Sequence, residues 1–286
     1  MEERKIGISV GNGYRVPTSE LVKLLGKIGF GGIAPSMPLD GSEFDIEGIV
    51  KSAKECGLSI PFVHAPFLNA AALWQDAGEK GSLGEEEILR GLALCHRYEI
   101  PSLVVHAWIG FFPSDGPTAL GFERMDRAVR AAEKYGVSMA LENTEGEEYL
   151  DALLSRYEGN ASVGFCFDSG HEQCYNRGRD LLSQYGDRLL VTHLNDNLGI
   201  SDPKGSISPM DDLHLLPFDG IIDWEKTAKR LAASRLPEIL NFELNIVSKP
   251  GRHENDAYEK MTYEQYFSEA FRRAERIRAS IECAMK

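Results

Sequence analysis

The chain has no apolar run of the roughly 18 residues that a membrane helix needs. Its first residues, MEERKIGISV, lack the apolar core of a secretory signal. No Cys-x-x-Cys occurs. Cys56, Cys95, Cys166, Cys174 and Cys283 are scattered and odd in number, which argues against a disulfide framework and fits reduced thiols in a cytoplasmic protein. An excess of positive charge is missing too: 31 Lys and Arg stand against 44 Asp and Glu, a net −13. Phosphate backbones repel such a chain, so nucleic acid is the poorer partner and a small molecule the better one. The glycine-rich fingerprint of dinucleotide binding is absent. The first β-branched run leads into GISVGNGYRVP, whose Gly-x-Gly has no third glycine and is interrupted by Pro17. There is no low-complexity tract, interdomain linker or longer internal repeat.

What is present is a regular alternation. Apolar or β-branched runs occur at KIGISV (5–10), GGIAPSM (31–37), SIPFVHAPF (59–67), SLVVHAW (102–108), VSMALENT (137–144), SVGFCFDSG (162–170), LLVTHLNDN (189–197) and EILNFELN (238–245). Between them lie helical patterns such as SELVKLLGKIG and FERMDRAVRAAEKYG, with apolar residues three and four apart. Gly29, Gly57 and Gly136 stand where helix C-caps belong, and Thr18, Asp45 and Asp223 where N-caps belong. Eight strands, each followed by a helix, predict a single-domain α/β fold over residues 1–286, a (β/α)8 TIM barrel of the usual ~250-residue size plus insertions. A doubly wound open sheet is the alternative, but it normally has fewer strands. Residues 68–84 and 198–221 are long connections leaving strand C-termini, where barrel active sites lie. The last helix, expected over 262–283, contains FRRAERIRAS, whose arginines read as a solvated outer face.

Polar residues are concentrated at the strand ends. Strand three ends in His64, strand four in His106 and strand five in Glu142. Strand six ends in Asp168 with His171 just beyond, strand seven in His193, and strand eight in Glu243; the long loop adds Asp212 and His214. Five of the seven histidines thus occupy or closely follow strand C-termini or sit in the loop above them, while His96 in a helix and His253 in a polar loop do not. Carboxylates gathered in a low-dielectric mouth repel one another, and a divalent cation held by mixed nitrogen and oxygen donors relieves that repulsion. Phe67, Trp74 and Trp108, with Phe111 and Phe112, are expected to line the mouth and to stack on a substrate.

The segments FVHAPF, VVHAW, ALENTEG, CFDSGHEQC, VTHLNDN, DLHLLPFDGIIDW and NFELN, in this order and each at or near a strand end, resemble the xylose-isomerase-like barrel superfamily over essentially the whole chain. That group holds sugar isomerases and epimerases, inosose- and hydroxypyruvate-processing enzymes, and the metal-dependent apurinic-site endonucleases. The epimerase branch implies one divalent ion (Mn, Co, Mg or Zn) on Glu142, Asp168, His193 and Glu243. It implies His171 as a substrate contact, and proton transfer by Glu142 and Glu243 through a metal-stabilised enediolate. The substrate class is then a small sugar, polyol or keto acid. The endonuclease branch implies up to three zinc ions on His64, His106, Glu142, Asp168, His171, His193, Asp212, His214 and Glu243, hence a phosphodiesterase. The acidic chain and the scarcity of mouth cations (Arg15 after strand one, Lys204 in 198–221) favour the sugar branch. Barrels of this group often pair, so a homo-oligomer is compatible with the resemblance.

Overall fold

The computed structural model describes residues 3–11, 14, 18–112 and 114–286. Asn12, Gly13 and 15–17, which include Arg15 and the interrupting Pro17, lie outside the described residues. The parallel strands are β1 Lys5–Val10, β2 Gly32–Pro35, β3 Val63–His64, β4 Ser102–His106, β5 Ser138–Glu142, β6 Val163–Asp168, β7 Leu189–His193 and β8 Ile239–Phe242. Each falls within one of the eight runs read from the sequence. The helices are α1 Thr18–Ile28, α2 Ile46–Glu55, α3 Ala70–Gln75, α4 Glu79–Arg97, α5 Ala119–Tyr135, α6 Glu147–Arg156, α7 Ser169–Cys174, α8 Leu181–Tyr185, α9 Trp224–Ala232 and α10 Tyr263–Ala284.

Hydrogen-bonded ladders form two arcs, β2-β1-β8 and β3-β4-β5-β6-β7. Isolated bridges close them into one ring: Gly32 with Ser59 and Ser36 with His64 on one side, Leu194 with Phe242 on the other. The open-sheet alternative is therefore excluded. The two-residue period of a strand then decides which side chains enter the barrel. Ala34, Phe62, Val104, Ala140, Cys166 and Val191 form a separate inner cluster. The large side chains between them in sequence, Leu103, Val105, Met139, Leu141, Phe165 and Phe167, belong to the main core beneath the helices. Two residues after five of the inner side chains come His64, His106, Glu142, Asp168 and His193. The strand-end polar residues thus continue the inward register, one layer above the apolar plug.

Helix ends follow local chemistry. Asp45 accepts from Gly48 N and Asp223 from Lys226 N. Thr18 is the first residue of α1 rather than its cap. Gly29, Gly57 and Gly136 follow α1, α2 and α5 at φ 121°, 70° and 66°, backbone that favours glycine. Thr262 and Gln265 form a capping box that starts α10, and its outer arginines make ion pairs, Arg272 and Arg273 with Glu269 and Arg278 with Glu275. Connection 68–84 holds α3 and the start of α4, with the buried Arg124 closing α3 through Leu73 O and Asp76 O, both at 2.8 Å. Connection 198–221 contains only a short 3-10 turn, Pro209–Asp211. A third long connection, 243–262, follows β8. All five cysteines are free, and among the described residues no helix is long and apolar enough to cross a membrane.

Candidate metal centre and active site

Glu142 sits at the centre of the mouth, 1% exposed. Its Oε2 lies 3.1 Å from His64 Nε2 and 3.2 Å from His106 Nε2. Its Oε1 lies 2.8 Å from His193 Nδ1 and 3.5 Å from His171 Nδ1. One carboxylate therefore faces two clusters. The first is His64, His106 and Glu142; the second is Glu142, Asp168, His193 and Glu243, in which His193 Nδ1 also approaches Glu243 Oε2 at 3.2 Å. The long loop after β7 completes a third, His171, Asp212 and His214, with Asp212 Oδ1 2.9 Å from His214 Nε2 and 3.3 Å from His171 Nε2. In each cluster the potential donor atoms lie within 4.8 Å of one another. All nine residues that the sequence nominated are brought together. His96 is on the outer surface against Tyr135 O, and His253 is exposed and pairs with Asp256.

The electrostatics show what the cup lacks. Burial works against charge on Glu142, but His193, His106 and His64 outweigh it and hold the carboxyl well below its usual range. Burial likewise opposes ionisation of Asp212, and His214 and His171 overcome it. Burial disfavours a charged His171, yet Asp168 and Asp212 lift it well above the usual imidazole value. His193 is raised against burial by Cys166, Glu243 and Glu142, and His214 is raised to about 9, chiefly by Asp212. Burial leaves Asp168 raised and His106 lowered. Four carboxylates, of which Glu142 and Asp168 are fully buried, thus pull protons onto three histidines: the cup demands positive charge. His193 Nε2 and His106 Nδ1 are buried without a hydrogen-bond partner among the described residues. Mixed imidazole and carboxylate donors that draw protons for want of other charge fit divalent cations.

Neighbouring residues hold the donors in place. Asn195 Nδ2 donates to both Asp168 oxygens, at 3.1 and 2.9 Å. Asn143 accepts from Asp168 N at 2.7 Å and donates to Asp168 O at 2.8 Å, so the β5 and β6 ends are laced together. His64 Nδ1 meets Ala65 O at 2.7 Å and His214 Nδ1 meets Glu243 O at 3.1 Å, which leaves each Nε2 facing the cup.

Comparison with known proteins agrees with this layout. Residues 22–277 match the model of one protein family, the xylose isomerase-like TIM barrel. The chain belongs to that family. A protein of Sinorhizobium fredii, y4fM, is 34% identical over 173 residues, 56% of this chain and 52% of that protein; the match thus spans about half of its length. A solved L-ribulose 3-epimerase superposes with a TM-score of 0.71 at 15% identity, covering 98% of this chain and 95% of the other. The IolI protein, solved with a zinc atom, superposes at 0.70 with 16% identity, covering 95% and 98%. At these identities the likeness establishes the fold.

Within this xylose isomerase-like barrel, the aromatic residues are placed differently from expectation. Phe67 does reach the mouth, stacked on His106 with ring centroids 4.4 Å apart. Trp74 and Trp108, each 1% exposed, do not line it. Trp74 donates to Ala107 O at 2.7 Å, and Trp108 stacks on Tyr149 at 4.3 Å, so both are core side chains behind the β4 loop. Two residues of the third long connection were not anticipated. Lys249 Nζ lies 3.3 Å from Asp212 Oδ2, and Arg252 Nη1 2.9 Å from Asp211 Oδ1. They make the mouth less poor in cations than Arg15 and Lys204 alone suggest, and the sequence signal was the SKPGR stretch after strand eight. Cys166, grouped with Glu142 and His193 beneath the cup, was also missed; it lies in the inner apolar layer and burial pushes its thiol up to about 12.

Proposed function

We propose that the protein is a divalent-metal-dependent isomerase or epimerase of a small hydroxy-carbonyl compound: a sugar, polyol or keto acid. The observation that carries this reading is the cluster Glu142, Asp168, His193 and Glu243, in which two glutamates, at the end of β5 and just after β8, flank one imidazole, at 2.8 and 3.2 Å from the same Nδ1. The fold shared with the ribulose epimerase supports it. Glu142, Asp168, His193 and Glu243 would hold the ion. When bound, it supplies a Lewis acid that polarises the substrate carbonyl and acidifies the neighbouring C–H. Glu243 is the more open of the two carboxylates, its side chain 23% exposed against 1% for Glu142. In this reading one glutamate oxygen removes the proton next to the carbonyl and the other glutamate returns it from the opposite face. His171, held by Asn143 O at 3.1 Å, would contact a substrate hydroxyl. The apolar layer of Phe62, Val104, Ala140, Cys166 and Val191 closes the floor against water.

The test is turnover in deuterated water with a panel of ketoses, inososes and hydroxy-keto acids. Proton transfer places solvent deuterium on the carbon beside the carbonyl in product and recovered substrate. Glu142→Gln and Glu243→Gln keep size and an oxygen donor but remove the base, and normal turnover by either variant would remove that residue from the acid/base pair.

A second reading has its own support. The clusters His64/His106/Glu142 and His171/Asp212/His214 add two further donor groups to the first, the full set of a trinuclear zinc phosphodiesterase. Metal analysis separates the two readings. One Mn or Co per chain favours isomerisation, and three Zn favour hydrolysis.

A further inference from the structure

Six of the seven large apolar side chains that are strongly exposed among the described residues lie on one face. Leu68, Phe111, Phe112, Leu198, Ile221 and Val247 are 40% to 60% exposed. They belong to the connections after β3, β4, β7 and β8, the end of the barrel that carries the donor cup; Leu83, on the outer helix α4, is the exception. Scattered exposed apolar residues are ordinary, but six gathered in the connections at one end of a barrel are not.

Two aromatic rows join this rim to the donors. Phe67 stacks on His106 at 4.4 Å and an interplanar angle of 12°, directly beneath Leu68 in the chain. Tyr175 packs on His171 at 4.9 Å, and Phe111 reaches across from the β4 connection to Tyr175 at 5.6 Å. A ligand whose head reaches the cup therefore meets ring faces and edges next. A polyhydroxylated chain extending outward brings little apolar area to these rings, so they add little to its binding. An apolar or planar group gains contact area there.

We propose that the ligand of this site is amphiphilic: a chelating hydroxy-carbonyl head bearing an aromatic or branched apolar tail that lies against Phe67, Tyr175 and Phe111. The inference rests on the isomerase reading for the head alone; the tail is argued from the wall.

Calorimetry on the metal-loaded protein with three hydroxamates, which chelate as a hydroxy-carbonyl does, tests it without turnover. The probes are acetohydroxamate, benzohydroxamate and gluconohydroxamate. Benzohydroxamate is expected to bind roughly tenfold more tightly than the other two, the gain of burying one ring face. Phe67→Ala and Phe111→Ser should each erase most of that gain, and Phe111→Ser, which touches no donor, should leave acetohydroxamate affinity within about twofold. Tighter binding of gluconohydroxamate, or a phenyl gain that survives both substitutions, overturns the proposal. So does a dimer that is lost on Phe112→Ser, because a second copy would then cover the rim. Absence of deuterium exchange with every substrate would sink the isomerase reading and leave the hydroxamate order unaffected.

Discussion

Asp196 accepts the indole N–H of Trp224 at 2.8 Å, joining the residue three beyond His193, the end of β7, to the first residue of α9. The same carboxylate, fully buried, accepts Asn197 N at 2.9 Å, Phe218 N at 2.8 Å and Ile222 N at 3.1 Å. Asp196 and Leu215 also exchange backbone hydrogen bonds, both 2.9 Å. One side chain thereby folds the 198–221 connection over the mouth and sets down Asp212 and His214, the latter at φ 48°.

Asp196→Ala should therefore cost about 3 kcal/mol, since it leaves several buried donors unpaired. It should also weaken metal binding at the cluster His171, Asp212 and His214 more than at the cluster Glu142, Asp168, His193 and Glu243. Urea unfolding and metal titration of the same variant check both. Equal loss at the two clusters would show that Asp196 supports the whole fold and does not place this loop.

Glu142 serves two clusters with its two oxygens, whereas Glu243 serves one. Glu142→Gln should weaken metal retention against a chelator by roughly 100-fold or more, and Glu243→Gln less, because His64, His106 and Glu142 remain intact. Both variants should stay folded, because these side chains sit above the apolar layer and not within it. If the two lose metal equally, the His64/His106 pair holds no ion.

How much of this was legible follows from register. The eight strands and six of the nine donors could be read because each of these six closes an apolar run, and alternation carries them inward: His106 over Val104, Glu142 over Ala140, Asp168 over Cys166. His171, Asp212 and His214 stand beyond strand ends, in α7 and the long loop, where no alternation reaches. Trp74 and Trp108 could not be placed, because what buries them is distant in sequence: Ala107 O and Tyr149. The tie between Asp196 and Trp224 spans a connection with no periodicity, so no local pattern announces it. Lys249 lies in the long 243–262 connection, beyond the two connections whose length drew notice.

Gly146 faces that hidden aromatic pair. Its φ is 76°, and a Cβ there would stand 2.5 Å from Trp108 Cδ1. Gly146→Ala must strain the backbone and push Trp108 off Tyr149. A loss of about 2 to 3 kcal/mol is expected from the two effects together. Thermal unfolding measures it, and a change below about 0.5 kcal/mol would show that Trp108 has room to move.

The last relationship sits on the outside of the barrel and is read by pH. Glu269 accepts Arg272 Nε at 2.8 Å and Arg273 Nε at 2.7 Å, and Arg272 chiefly, helped by Arg273, lowers its carboxyl to about 2. Arg273 in turn donates to Pro217 O at 2.8 Å and pairs with Asp219 at 2.6 Å, so α10 is tied to the loop over the mouth. Because the folded value lies below the ordinary 4.5, the pair stabilises the fold fully above that value. The contribution is lost as pH falls from there through about 2. Solvent screening of these partly exposed groups reduces it to about 1 kcal/mol. Glu269→Gln should then be less stable than the parent chain by about that amount at pH 6, and the gap should close towards pH 2.5. Urea midpoints of both chains at the two pH values decide it. A gap unchanged between them would mean that Glu269 contributes packing and not charge.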